Sequence, residues 1–336
     1  MRKRHTQADV AKRAKVSQAM VSYVVNKSNK VTIPQETRER IEIAMRDLGY
    51  TPNIVAQRLQ SKKTKTIAGI IPDITNPFYP DFERGIQEVV NDFGYDLIIY
   101  NTDASLKKEL NCLESLSQGR VDGVIGVFFH LKAQNLFKLL EQGVAIIRFE
   151  GRLKEPGQMP LDNLFIDNIA ASRQATEYLL NRGHKRIAML SSSYGPARYR
   201  EKGYLRAMID AGFSKSSEFI ERETFNEHGG YKAMKTLMKQ SPVTAILAAN
   251  DLMAMGAMVA IREAGLSIPK DISVLGFDDI PLAKWFYPPL STISQSQRQM
   301  GRKAAHLLFE RIHLGIEEGG RSVEMPFQLV VRESTN

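Results

Sequence analysis

The chain has 336 residues, 43% hydrophobic and 25% charged, with one cysteine and 46 basic against 37 acidic side chains, a formal charge of +9. That length predicts two or three domains with sizeable cores and excludes a structural peptide or a disordered tail. Cys112 has no partner for a disulfide, polar residues follow the basic start where a signal peptide needs an apolar core, and no run approaches the ~18–20 apolar residues of a membrane span; a cytoplasmic protein is expected.

The charge is unevenly placed. Residues 1–65 hold 15 basic and 5 acidic side chains, whereas the remainder holds 31 and 32, so the whole positive excess sits in the first fifth of the chain. Such asymmetry points to a polyanionic partner, and apolar periodicity in the segment argues against a mere solubilising tail. Thr6 with Asp9 has capping-box spacing, and Ala8, Val10, Ala11 and Ala14 give a short helix its apolar side. After a turn at Lys15 and Val16, Ser17 suits an N-cap, and residues 18–26 divide at helical spacing into a packed set (Val21, Val24, Val25) and an exposed set (Gln18, Ala19, Ser22, Tyr23, Asn26). A third helix opens near Pro34, runs through Ile41, Ala44, Met45 and Leu48, and ends at Gly49. Two short helices, a tight turn and a closing third helix make a helix-turn-helix, whose second helix can enter a major groove. Gln18 is the best base reader there, because its amide bonds bidentately to adenine. Ser17, Ser22 and Asn26 are short groups suited to phosphates, and Ser17 serves equally as a cap.

The motifs Thr6-Gln-Ala-Asp9-Val-Ala11, Val16-Ser17, Val21-Ser22, Val24-Val25-Asn26, Thr37-Arg38-Glu39-Arg40-Ile41 and Gly49-Tyr50-Thr51-Pro52-Asn53 resemble the headpiece of the LacI/GalR family of transcription regulators. The sequence departs from the family in having Tyr23 where many members carry a base-reading arginine, and in a longer loop over 27–33. The resemblance implies DNA contacts at Thr6, Ser17, Gln18, Ala19, Ser22, Tyr23 and Asn26, and further contacts at Asn53, Ala56 and Leu59. Residues 52–60 read as a helix too short to be stable alone, followed by a basic linker. By resemblance this is a hinge helix that pushes Leu59 into the minor groove; packing of Leu59 on the next domain is the other reading.

From Thr66 onward β-branched runs alternate with helical patterns. The strands predicted are 67–71, 96–100, 123–127, 145–149, 186–190, 218–223, 245–248 and 272–276; the helices between them include 79–93, 106–118, 169–182, 199–211, 230–239 and 252–264. So many strand–helix units imply two doubly wound parallel-sheet subdomains facing across a cleft. Ligands of such sheets bind beyond the carboxyl ends of strands, which selects the loops 73–79, 101–103, 128–130 and 250–251, Glu150 and 277–279. Their Asp, Asn and aromatic residues suit a polyol or sugar. Asn76-Pro77 could equally start a turn, and Phe78 and Phe128 could be core.

Further motifs, among them Asp73-Ile-Thr-Asn76-Pro77-Phe78-Tyr79, Arg200-Glu-Lys-Gly203-Tyr204, Asn250-Asp251 and Gly276-Phe277-Asp278-Asp279, extend the resemblance over the effector domain of the same family, which has the fold of type I periplasmic binding proteins. It implies effector contacts from Arg200, Asn250 and Asp278 in one half and from Asn76, Phe78 and Tyr79 in the other. Phe128 and Glu150 join them, as does Trp285, the only tryptophan, which either stacks on a ring or simply packs. The division expected is a headpiece at 1–50, a hinge helix and linker at 51–65, and an effector-binding and dimerisation domain of two subdomains at 66–336. No leucine-heptad tail follows, so a homodimer is expected.

No G-x-G-x-x-G opening a helix, no G-x-x-x-x-G-K-[ST] and no H-E-x-x-H occurs, and Cys112 sits among leucines as an inert thiol would. No catalysis, cofactor or metal is therefore expected. The function read from these features is a sequence-specific DNA-binding regulator, a repressor controlled by a sugar-like effector in the cleft. The alternative is a catabolite-control-type regulator with a phosphocarrier protein as co-effector.

Overall fold

The computed structural model describes residues 5–26, 31–51, 63–149, 159–213, 219–240, 242–314 and 319–335. The chain divides into two compact units, residues 1–64 and 65–336.

In the first unit α1 (Gln7–Ala14) begins at Thr6, which donates its N–H to the Asp9 carboxylate at 2.8 Å while its hydroxyl accepts the Asp9 N–H. The reciprocal pair satisfies donors that the first turn leaves without helical partners. Ser17 caps α2 (Gln18–Val25), its Oγ accepting the Met20 N–H at 3.3 Å. α3 (Gln35–Asp47) ends in a Schellman turn: Gly49, at φ +58°, donates to the Arg46 carbonyl, and Tyr50 donates to that of Met45. The C-cap is Leu48, so the predicted cap glycine lies one residue further on, where left-handed backbone suits a residue without Cβ. Val10, Ala11, Ala14, Val21, Val24, Ile33, Ile41 and Ala44 form the core. Two expectations change. Ala8 is exposed, and Tyr23 is half-buried against this core, because a core of small aliphatic groups leaves apolar surface that an aromatic ring covers.

In the second unit a six-stranded, all-parallel sheet has the order β2 (Asp96–Asn101), β1 (Thr66–Ile71), β3 (Gly123–Val127), β4 (Ala145–Phe149), β5 (Asp162–Phe165), β11 (Ser322–Glu324). A second sheet has the order β7 (Ile220–Arg222), β6 (Ile187–Ser191), β8 (Ala245–Ala248), β9 (Ser273–Asp278), β10 (Ser291–Ser294), β12 (Gln328–Val330), with β12 antiparallel to β10 and the other pairs parallel. α4 (Phe78–Asp92), α5 (Leu106–Leu116), α6 (Phe137–Glu141) and α11 (Gln297–Leu314) cover the first sheet. α7 (Asn168–Asn181), α8 (Ala197–Asp210), α9 (Glu227–Gln240) and α10 (Asp251–Glu263) cover the second. Coverage on both faces explains runs such as Thr66–Ile71, in which every residue is buried.

The chain crosses between the sheets three times: from β5 to α7, from β10 to α11, and from β11 to β12. α11 lies so close to α4 that a Cβ on Gly85 would strike the Arg298 carbonyl, and one on Gly301 that of Phe82. All eight predicted strands are present, with ends shifted by up to two residues. β5, β10, β11, β12 and the long α11 were not foreseen.

Candidate functional site

On α2 the side chains of Ser17, Gln18, Ala19 and Asn26 are exposed, and those of Ser22 and Tyr23 are half-buried. Among the described residues Gln18 makes no hydrogen bond of its own, which leaves its amide available to a partner. Ser17 and Thr6 are engaged as caps, and Asn26 donates to the Ser22 hydroxyl at 3.2 Å. The N-terminal end of α2 therefore carries the exposed side chains of Ser17, Gln18 and Ala19.

In the second unit the carboxyl ends of both sheets carry polar groups. Arg200, in the first turn of α8, is 2% exposed. Its Nε donates to Asn168 Oδ1 at 2.8 Å, and its Nη1 donates to the Ala249 carbonyl at 2.5 Å and to Asp278 Oδ1 at 3.2 Å. The guanidinium lies 3.6 Å from the centre of the Phe277 ring, a cation–π contact that helps to hold its plane. Gln295 also donates to Asp278 Oδ1, at 2.5 Å, and Gln297 donates to the Asp278 carbonyl. Burial raises the Asp278 carboxyl to about 6, against the opposing pull of Arg200. Asp278 and Asp279 have φ of +122° and +56°, conformations that cost about 1–3 kcal/mol each and gather at functional sites. Behind them Asp251 accepts from the Thr292 hydroxyl at 2.6 Å and the Ile280 N–H at 2.9 Å; burial, and then the charge of Asp278, pushes its carboxyl well up. The buried oxygen of Gln295 has no hydrogen-bond partner. A buried acceptor without a partner is costly unless something else fills it.

Asn76, Phe78 and Tyr79 are buried at the start of α4. Asn76 Oδ1 accepts the Phe78 N–H at 3.0 Å, and Phe78 stacks on Phe149 at 6.2 Å between centroids. Asn250 caps α10, accepting the Met253 N–H at 2.8 Å, and donates to the Phe225 carbonyl at 3.1 Å. Phe128 lies over Gly126 of β3 and packs against the core cluster that holds Val124 and Ile146. Its neighbour Phe129 instead reaches the second half, 6.0 Å from the Tyr194 ring, which in turn lies 6.3 Å from Phe225. That row is aimed by Glu109, a buried carboxylate on α5 that accepts the backbone N–H groups of Phe129, His130 and Leu131 at 2.9, 3.2 and 3.0 Å.

The lacI-family model of bacterial regulatory proteins matches residues 6–53, and a periplasmic binding protein-like domain matches residues 176–335. The chain is 33% identical over 333 residues to the HTH-type transcriptional regulator DegA of Bacillus subtilis (strain 168), covering 98% of this chain and 97% of DegA. The chain belongs to the lacI family. It is accordingly a DNA-binding transcriptional regulator. Among solved members, the Lac repressor dimer bound to operator and the anti-inducer ONPF matches with a TM-score of 0.85 at 28% identity, over 99% of both chains. The CelR–cellobiose complex matches with a TM-score of 0.73 at 29% identity, over 98% of this chain and all of CelR.

In this lacI-family chain the structure brings Arg200 and Asp278 into contact, and with them Gln297, which the sequence places where some relatives carry an aromatic, together with Asn168 and Gln295, which were not chosen from the sequence. Recognition of β10 would have found Gln295, since it follows that strand's carboxyl end. Trp285 is 76% exposed in a short turn beside Leu282 and Tyr287, themselves exposed, with Lys284 over its ring. Asn53, Ala56, Leu59 and Glu150 lie outside the described residues. Among the described residues no helix is long and apolar enough to cross a membrane, and no three His, Cys, Asp or Glu side chains gather as for a metal.

Proposed function

We propose that this chain is a cytoplasmic repressor whose grip on its operator is set by a small sugar-like effector held between the two sheets, and that it acts by binding rather than by catalysis. The observation that carries the effector reading is the buried Arg200–Asp278–Gln295 cluster at the strand ends, which leaves an acceptor unfilled beside a fixed guanidinium. The CelR–cellobiose and Lac repressor complexes support a cleft ligand of this chemistry. Asn76, Phe78, Tyr79, Phe128, Glu150 and Asn250 frame the same cleft in this reading. Nothing in the site favours a protein co-effector over a small molecule. In the headpiece, taken as 1–50, Gln18 reads a base, Ala19 and Tyr23 touch the groove, and Thr6, Ser17, Ser22 and Asn26 fix the register on phosphates. Asn53, Ala56 and Leu59 of the 51–65 hinge follow the minor groove. Residues 66–336 form the effector-binding and dimerisation domain. Exposed Leu282, Trp285 and Tyr287 make an apolar surface suited to a second copy, and a homodimer presents two headpieces to two half-sites. Effector binding reorients the two halves and so shifts the population competent for DNA.

Titrating the full chain with a panel of neutral carbohydrates while footprinting its own promoter tests the effector reading. A ligand that raises the melting temperature also changes the footprint, and Arg200→Gln weakens that ligand ten- to hundredfold, the scale of a lost charge-assisted hydrogen bond of about 1.5–3 kcal/mol. A ligand that binds without altering the footprint defeats the allosteric reading.

Gln18→Ala tests the headpiece. Losing a bidentate base contact costs about 1–3 kcal/mol of discrimination at one base pair. Competition binding with single-base operator variants then shows relaxed preference at that position, with an unchanged salt slope because no phosphate contact is lost. Equal weakening on every sequence would assign Gln18 to the backbone instead.

A further inference from the structure

Arg148 is the penultimate residue of β4, half-buried, and has no acidic partner among the described residues. Its Nε donates to Asn163 Oδ1 at 2.9 Å, from the paired position on β5. Asn163 is fully buried, and its amide nitrogen has no hydrogen-bond partner among the described residues. In register across the sheet stand Gly126, Arg148, Asn163 and Ser322, with the Phe128 ring over Gly126. Tyr199 of α8, in the other half of the molecule, lies within electrostatic range of Arg148. Around the Tyr199 ring lie the Arg198 guanidinium at 5.1 Å and the Lys202 ammonium at 5.8 Å. Glu201, the acid on the same turn, is bound by Arg222.

A guanidinium stays charged even when burial disfavours it, and leaving it without a counter-ion beside an unsatisfied amide is costly. The cost makes sense where a ligand supplies the missing anion, since a planar guanidinium and an amide N–H together match the oxygens of a phosphate or carboxylate. We propose that Arg148 and Asn163 form an anion-binding subsite of the cleft, so that the effector is an anionic carbohydrate carrying a phosphate or a carboxylate. This deepens the effector reading above and rests on it; the polyol end of the ligand then meets Arg200, Asp278 and Gln295.

The test uses the full chain in thermal-shift titrations at matched ionic strength, with inorganic phosphate as one probe and matched trios of neutral hexose, hexose phosphate and hexuronate as the others. Two variants accompany it: Arg148→Gln, and Asn163→Asp, which gives Arg148 an internal counter-ion. The result expected is a saturable phosphate shift absent from both variants, at least tenfold tighter binding of one anionic sugar than of its neutral counterpart, and a higher melting temperature for ligand-free Asn163→Asp. The wild-type and Asn163→Asp comparison decides even if Arg148→Gln folds poorly. A phosphate response that persists in both variants belongs elsewhere, for example to the headpiece, and overturns the proposal. Neutral sugars binding as well as their anionic counterparts, with no effect of either variant, overturns the subsite and leaves the neutral-effector reading standing. A variant-sensitive phosphate response with no sugar binding upholds the subsite and removes the sugar. Phosphate and hexuronate compared in the same trios identify which anion the site prefers.

Discussion

Deleting residues 1–64 abolishes operator binding, while the remaining 65–336 fragment keeps the melting behaviour and ligand response of the full chain. The whole positive excess lies in residues 1–65, and the 65–336 fragment, which keeps Lys65, carries equal numbers of basic and acidic residues. Phosphate contacts dominate affinity for DNA, and each neutralised phosphate steepens the salt dependence, so a near-neutral remainder has almost nothing with which to hold a duplex. A fall of at least about a thousandfold is expected, from a specific affinity to or below the nonspecific range. The fragment survives because it is a compact unit with its own cores. Fluorescence anisotropy on the promoter fragment, paired with thermal-shift titration, measures both halves of the claim. Retained operator binding by the 65–336 fragment would refute it.

Glu83→Gln is expected to stabilise the protein at pH 7 and above, and to do so less and less as the solution is acidified. Glu83 sits on α4 over Gly69 of β1, 4% exposed, with neither carboxylate oxygen hydrogen-bonded. Burial raises its pKa from the ordinary 4.5 to about 8. Below pH 4.5 the group is neutral in both the folded and the unfolded chain and imposes no pH-dependent penalty. As pH rises from 4.5 toward 8 the unfolded chain ionises while the folded chain does not, and folding loses about 1.4 kcal/mol per pH unit, on the order of 3 kcal/mol by pH 7. The amide cannot ionise, so the wild type and the variant diverge over this window. Urea unfolding of both at pH 5 and pH 8 checks it; a constant difference between the two would show that Glu83 is not the group responsible.

The helical front unit was the most legible part of the chain, since capping at Thr6 and Ser17 and the spacing of Val21 and Val24 are local signals that local structure obeys. Strands buried on both faces, such as β1 and β3, announced themselves by unbroken apolar runs. β5, β10, β11 and β12 did not, because they are three or four residues long and spell Asp-Asn-Leu-Phe, Ser-Thr-Ile-Ser, Ser-Val-Glu and Gln-Leu-Val. Their polar residues answer to partners far away in sequence: Asp162 is held by Arg311 and Arg321, and Ser291 bonds to the backbone of Arg332. The site followed the same division. Arg200 and Asp278, chosen by motif, lie in contact, whereas Gln295, which joins them, follows an unrecognised strand. Phe129, which was not chosen, reaches across to Tyr194 because Glu109 accepts three N–H groups from about twenty residues away, a contact no local pattern announces. Trp285 was selected as the lone indole, yet its exposure follows from a turn that tertiary contacts alone place.

The strands that close one edge of each sheet, β11 and β12, are separated by only three residues. Each half therefore has an open sheet edge until the same short ribbon is in place. The two halves then finish together, joined at the tail as well as at the crossings in the middle. A nick between β11 and β12 would thus unhook one half from the other at this ribbon, although the bulk of each is built from residues far upstream.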